Sequence, residues 1–500
     1  MIRNLDLARS GGLVGMITIP NWMFLSSFDE LRDDMLGRGT IDTFIHNGRG
    51  VFGSDFGSCS FVVRNHCIDL FSGSYRRLFE KQGSVADNEE LEQRFFTAAT
   101  YIARQSDFRS IPGQPIAYWI SKRMQQCFQD GMPLGEIAEP RQGMATADNN
   151  RFLRRWQEVS YVRVGFRHPN RETARESRLK WFPYNKGGVF RRWFGNSEWL
   201  VNWEDDGKEI QNFTDDTGYL RSRPQGLDCM FRSAITWTDI SSSFFGVRCS
   251  DPGFLFDVSG SSAFPPEEWR ECIAGFLASK IASSMLAVLN PTMHFQVGNI
   301  KTLPVLQPQL LPRKSAIDAV VREAVQLART DWDSFETSWD FQTLPVLQQK
   351  ATTLAQSQAI ADTEALAHFQ RMQQLEEENN RLFIDAYGLQ DELSSKVPED
   401  QITLYRPNRE EDIKRLLSYV IGCMMGRYSL DTPGLIYAHS GNKGFDPSQY
   451  QTFPADDDGI IPMMETDWFS DDASNRLVEF ISAAWPNAHS APLWNLLILF

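Results

Sequence analysis

The sequence predicts an α/β sheet remnant at the N-terminus, then a mixed α+β domain, then a mostly helical C-terminal region. Three observations carry this. Short β-prone runs alternate with one helical segment over the first 65 residues. Aromatic residues, turns and strand-like runs are mixed from about 132 to 305. Two long segments after residue 314 repeat apolar residues at i, i+3, i+4 spacing.

The run at 13–19, closed by Pro20, has the length and flanks of a buried strand, and 26–36 is helical by periodicity. Runs at 41–45 and 59–63 read as strands around a glycine-rich loop that carries Phe52 and Phe56. No strand-plus-glycine turn of the nucleotide-binding kind precedes Leu13, so the ligand-binding half of such a sheet is expected to be absent. This places a sheet remnant at 1–65. A connector follows at 66–131, with helices over about 88–104 and 116–128. The mixed domain, 132–305, ends in a helix at 267–289 and the turn Asn290-Pro291. In the remainder, 306–500, helices are expected at 315–329 and 352–382, and the closing 493–500 is either a last strand or helix or an abnormal end.

The chain has 500 residues, 42% of them apolar, which suits a folded protein of about three domains. Its seven cysteines form no Cys-x-x-Cys pair and read as reduced cytoplasmic thiols, not a disulfide framework or zinc site. No apolar run reaches the length of a membrane span and no signal pattern opens the chain, so no membrane partner is expected. The net charge of −14 argues at first sight against nucleic acid, yet residues 151–192 hold twelve Lys or Arg against three Glu. Charge segregated in this way can steer a polyanion to one face.

Within that segment Lys180, Trp181, Tyr184, Asn185, Lys186, Arg191 and Arg192 mix phosphate-seeking charge with stacking surface, and Gly187-Gly188 permits close backbone approach. The competing reading is a solvated surface with aromatics anchoring a hairpin. Thr146, Asp148, Asn149 and Arg151 either read base edges or cap a helix that starts near Asn149. Phe52, on its loop beside an α/β sheet, is placed either to stack on a flipped base or to pack in the core. The seven histidines are scattered without ligand spacing, no metal site is expected, and Asp467, Asp471 and Asp472 read as a solvated helix start.

Taken in order, several stretches resemble the γ-class adenine-N6 DNA methyltransferases, specifically the PglX-type enzymes of BREX phage-defence systems. They are Gly-x-x-Gly-x-Ile-x-x-Pro-x-Trp at 12–22 with 28–32, Asn47-Gly-Arg-Gly-Val-Phe52 with 59–64, 132–137 with 143–149 and 151–156, Lys180 to Gly188, and 290–304. The likeness continues through 380–389 and 461–472. It implies a methyltransferase sheet remnant, a target-recognition domain at 132–305 and a helical spacer, with Phe52 at the position that stacks on the flipped adenine. It also implies S-adenosyl-L-methionine as methyl donor and double-stranded DNA as partner.

The sequence departs from the family where the chemistry lies. Neither a glycine-rich donor-binding turn nor an Asn/Asp-Pro-Pro-aromatic motif occurs, and the tail after about Ala484 ceases to look like the family. The resemblance therefore implies the DNA-recognition portion of a methyltransferase, inactive alone and completed by an N-terminal half or other defence-system proteins. The rival expectation is a non-catalytic DNA-binding specificity subunit or assembly protein of a restriction or defence system; a third is a decayed gene product.

Overall fold

The computed structural model describes residues 1–53, 56–79, 87–349, 351–437, 444–463 and 469–486; the closing run at 493–500, like Asp467, lies outside them. The chain divides into two compact units. The first comprises Met1–Glu139, Lys280–Arg313 and Phe383–Leu393, and the second Pro140–Ser279, Lys314–Leu382 and Ser394–Phe500.

The first unit is built on a five-stranded mixed sheet of β1 (Leu13–Thr18), β2 (Thr40–Arg49), β3 (Gly57–Arg64), β4 (Ser72–Arg77) and β5 (Thr100–Arg104), in the order β1-β3-β2-β4-β5. The β2–β4 pair is parallel and the other pairs are antiparallel, so β1, β2 and β4 run in one direction. Alternation along β3 turns Cys59, Phe61 and Val63 into the core. Phe61 stacks with Phe44 at 5.8 Å and meets Trp22 at 5.2 Å. The helix Asp29–Arg38 is tied to the loop after β1 by Arg32, which is fully buried. Its guanidinium donates to the carbonyls of Trp22 (2.7 Å), Leu25 (2.9 Å) and Gly113 (2.8 Å) and pairs with Asp29.

Three expectations for this unit change. The run at 13–19 is not a buried strand: β1 has a single neighbour among the described strands, and Leu13 and Ile17 are 57% and 59% exposed on its outer face. The helix expected over 88–104 ends at Thr97, and the β-branched and aromatic run from Thr100 pairs with β4 as β5. The helix expected over 116–128 begins only at Lys122, where the Ser121 side chain accepts from the Met124 N–H.

The second unit holds two small sheets. One takes β6 (Leu153–Arg155), β7 (Trp181–Asn185), β8 (Trp199–Asn202) and β11 (Leu255–Phe256), in the order β11-β7-β8-β6. The other takes β9 (Ala234–Trp237), β10 (Val247–Ser250) and β12 (Ser262–Ala263), in the order β10-β9-β12. Pro183 sits in a central strand without cost to the β11 ladder, which engages only Tyr184 and Asn185. The core gathers Phe152, Phe182, Tyr184, Trp203, Phe231 and Phe256.

The helix expected over 267–289 is two helices, Arg270–Ala278 and Lys280–Leu289. Ser279 between them is extended and donates its hydroxyl to the Phe276 carbonyl at 2.6 Å. The later helices are found at Lys314–Asp333 and Leu354–Tyr387, containing the expected 315–329 and 352–382 but for two residues at one start. Asp472 caps the helix Ala473–Ala484 through the Ser474 N–H, the helix start read for it, but it is buried and not solvated. None of the seven cysteines, all of them among the described residues, is in a disulfide, and no single helix among the described residues is long and apolar enough to cross a membrane.

Candidate nucleic-acid interface

Phe52 stands on the turn between β2 and β3. Gly48, Gly50 and Gly53 adopt φ of 89°, 84° and 66°, and the Gly53 N–H closes the turn on the Gly50 carbonyl at 3.0 Å. At the base of the hairpin the chain passes so near Phe79 that a Cβ on Gly48 would lie 3.0 Å from that ring. Glycine is therefore required there for space as well as for its left-handed backbone. Beyond this packed base Phe52 is 65% exposed, so the core-packing alternative does not hold. An exposed ring on a glycine-rich turn can offer its face to a base.

The basic segment behaves otherwise. The Arg192 guanidinium, buried, pairs with buried Glu376, whose other oxygen accepts from the Trp193 indole at 2.9 Å. Arg191 donates to Asp331 at 2.6 Å and to the Phe194 carbonyl at 3.1 Å, with Trp332 4.9 Å from its guanidinium carbon. Burial lowers the pKa of Arg191 and raises that of Asp331, each opposed by the partner's charge. Lys186 and the Tyr184 hydroxyl share one oxygen of buried Asp257, at 2.8 and 2.7 Å; burial, then the Asp257 charge, raises the tyrosine pKa well above its ordinary value. Trp181 is buried with the Arg154 guanidinium carbon 5.5 Å from its ring, and Asn185, also buried, donates to the Ser250 hydroxyl at 3.0 Å. Lys180 alone of this group keeps a solvent-facing charge, in a 3.0 Å pair with Glu204.

Magnitudes separate these cations. A solvent-exposed ion pair contributes about 0.2–1 kcal/mol, so Lys180 can exchange Glu204 for a phosphate at little cost. Removing one partner from a buried pair costs about 3–5 kcal/mol, so Arg191 and Arg192 are held by the interior.

Residues 146–151 form a second patch on the same unit. Asp148 caps the short helix Asn149–Phe152, accepting from the Arg151 N–H at 3.0 Å. Buried Thr146 donates to the Asn149 carboxamide oxygen at 2.6 Å. The capping role is thus present, and Asn149 and Arg151 remain exposed beside it. Arg151 meets Glu209 at 2.7 Å and lies 5.0 Å from the Phe213 ring centroid.

Phe213 opens a turn that sequence reasoning missed. Thr214 bridges Leu220, and Asp215 gathers the Thr217 N–H (2.9 Å), the Thr217 hydroxyl (2.5 Å) and the Tyr219 N–H (3.1 Å), contacts that lower its carboxyl pKa. The turn presents Tyr219, 73% exposed, and returns through Arg221, over the other reach of Phe213 at 5.6 Å. Arg223 then exchanges both backbone hydrogen bonds with Ala145 (2.9 and 3.0 Å), which seats it next to Thr146. Neither Arg221 nor Arg223 forms an ion pair among the described residues, and both are exposed. Asn149, Arg151, Tyr219, Arg221 and Arg223 therefore make one surface with stacking area and exposed cations, of which Arg151 pairs with Glu209 and Arg221 adds its charge to the contacts that lower the Asp215 pKa. The Arg-x-Arg spacing after an Asp-Asp-Thr-Gly turn was the signal for it, masked by the acidic run at 204–216.

Two turns of the first sheet can be compared with the glycine turn that holds a nucleotide-like ligand such as S-adenosylmethionine. β1 leads into the turn Pro20–Met23, whose Trp22 and Met23 are buried, and the glycines after β2 belong to a strand-to-strand hairpin. Neither provides the open glycine turn between strand and helix that receives such a ligand.

The comparisons with known proteins cover this whole surface. The chain is 38% identical over 507 aligned residues to the adenine-specific methyltransferase PglX of Lacticaseibacillus casei (strain Zhang), an alignment that takes in 97% of this chain and 41% of that protein. This chain is related to the PglX-type adenine-specific methyltransferases. It is also 32% identical to the adenine-specific methyltransferase BrxX of Escherichia coli O9:H4 (strain HS), over 97% of its own length and 40% of the relative's. The resemblance to the PglX type read from the sequence is borne out, and the chain spans about two fifths of the length of these curated relatives. No family model matches. Among solved structures, the type IIL restriction-modification enzyme MmeI in complex with DNA aligns over 79% of this chain and 48% of its own. The identity is 9% and the TM-score 0.44, too distant to bear on this chain.

Proposed function

We propose that this chain is the DNA-recognition portion of a site-specific adenine-N6 DNA methyltransferase of a BREX-like phage-defence system. The observation that carries the reading is the 38% identity to a PglX methyltransferase along 97% of the chain. The surface of Asn149, Arg151, Tyr219, Arg221 and Arg223 supports duplex contact, with Lys180 as a further exchangeable cation. Phe52, exposed on its glycine turn, supports stacking on an adenine drawn out of the helix.

In this reading the chain's part in the reaction is to choose the adenine and hold its ring. Transfer of the methyl group from S-adenosylmethionine to N6 belongs to polypeptide that supplies the donor site. The open apolar face of β1, with Leu13 and Ile17, supports further sheet or helix packing in the complete enzyme.

The test is a paired assay of the purified chain: duplex binding against salt, and methyl incorporation with and without the remaining part of a PglX-type enzyme. The expected result is binding with a steep salt slope, no incorporation alone, and incorporation on reconstitution. Binding that no reconstitution converts into methyl transfer would favour the non-catalytic specificity subunit. Absence of duplex binding at low salt would overturn both.

A further inference from the structure

Arg77 closes β4, next to Arg76, which donates to the Phe95 carbonyl at 2.7 Å. Arg64, in β3 of the same sheet, has an acidic partner in Asp42 at 3.8 Å. Arg77 has none among the described residues and makes no hydrogen bond there, and its Nε is buried without a partner. The guanidinium instead lies between two rings, its central carbon 4.6 Å from the Phe79 centroid and 5.3 Å from that of Trp119. Stacking of this kind fixes the plane of a guanidinium and leaves its N–H edge to face an oxyanion.

His46 backs the same seat. It lies opposite Arg77 in the β2–β4 register, and the Leu78 N–H donates to its carbonyl at 3.0 Å. Its ring meets Phe79 edge-on at 4.7 Å and Phe24 at 6.4 Å. The imidazole is 7% exposed and its Nδ1 has no partner, although buried polar atoms are nearly always hydrogen-bonded. Burial and the nearby Arg77 charge hold its pKa at about 4, so the ring is neutral near pH 7. β1, β2 and β4 run together, Arg77 is the last residue of β4 and His46 lies in the carboxyl half of β2, so the pair is toward the end of the sheet at which α/β sheets receive ligands.

We infer that Arg77, backed by His46, is a contact for a DNA phosphodiester at the base of the hairpin that carries Phe52; this rests on the DNA reading above. Phe79 joins the two functions. Arg77 and His46 pack on that ring, and the hairpin passes over it at Gly48. A nucleotide of a DNA strand presents both a base face and a singly charged phosphate, which this arrangement matches with one stacking ring and one unneutralised guanidinium.

The experiment is arginine modification of the full chain with phenylglyoxal, read by peptide mass spectrometry, in the free state, with duplex DNA, and with inorganic phosphate at equal phosphate concentration. Arg77 is expected to react in the free chain, to be protected by duplex, and to stay reactive in phosphate. Arg77→Gln is expected to reduce the slope of log K against log salt by about 1. Protection of Arg221 and Arg223 with Arg77 still reactive would overturn this inference and leave the proposed function standing. Protection by phosphate alone would assign the site to small anions instead. An Arg77 that never reacts in the free chain would deny a phosphate access to it. If no arginine is protected and no duplex binds, the DNA reading falls and this inference with it.

Discussion

Arg192 and Arg223 carry the same charge in surroundings that give it opposite consequences. Arg192→Ala leaves Glu376 buried without its ion pair, so a loss of about 3–5 kcal/mol is expected in urea denaturation. Arg223→Ala is expected to change stability by less than about 0.5 kcal/mol and to weaken duplex binding. Phe52→Ala is expected to leave folding and duplex affinity unchanged while slowing methyl transfer in a reconstituted enzyme, stacking of one base being worth about 1–3 kcal/mol. His46 gives a pH signature. With a folded pKa near 4 against an ordinary 6.5, the unfolded chain binds more protons between those values. Stability from this group is therefore full above about pH 6.5 and is lost as pH falls toward 4, by up to about 3 kcal/mol. Denaturation midpoints measured across that window are expected to fall less steeply in His46→Gln than in the parent.

At the scale of elements, local patterns were legible where local forces decide. The β2–β3 hairpin follows from two β-prone runs around glycines, and the helix at Asn149 from the Asp148 cap. The 88–104 segment misled because its charged and apolar residues keep a helical rhythm up to Thr97, after which pairing with β4 overrides it. Among candidate residues, Trp181, Tyr184, Asn185, Arg191 and Arg192 were unreadable as interior groups. The partners of the last four, Asp257, Ser250, Asp331 and Glu376, lie 65 to 184 residues away. The turn from Phe213 to Arg223 was hidden by its acidic flank. Its role has a clear expectation: Arg221→Ala with Arg223→Ala should lower the salt slope of duplex binding by about 2 with no change in denaturation midpoint.

For the whole molecule, each unit is assembled from segments distant in sequence, and this is why a reading along the chain cannot trace them. Order of motifs carried more than any motif alone, since the same order recurs in relatives more than twice as long. The central claim is that this chain selects the adenine. Its most direct test is a chimera in which the aligned two fifths of Lacticaseibacillus casei PglX is replaced by this chain, followed by genome-wide sequencing of N6-methyladenine. The account predicts methylation at a site different from that of the parent enzyme. A folded, active chimera that still methylates the parent's site would contradict it.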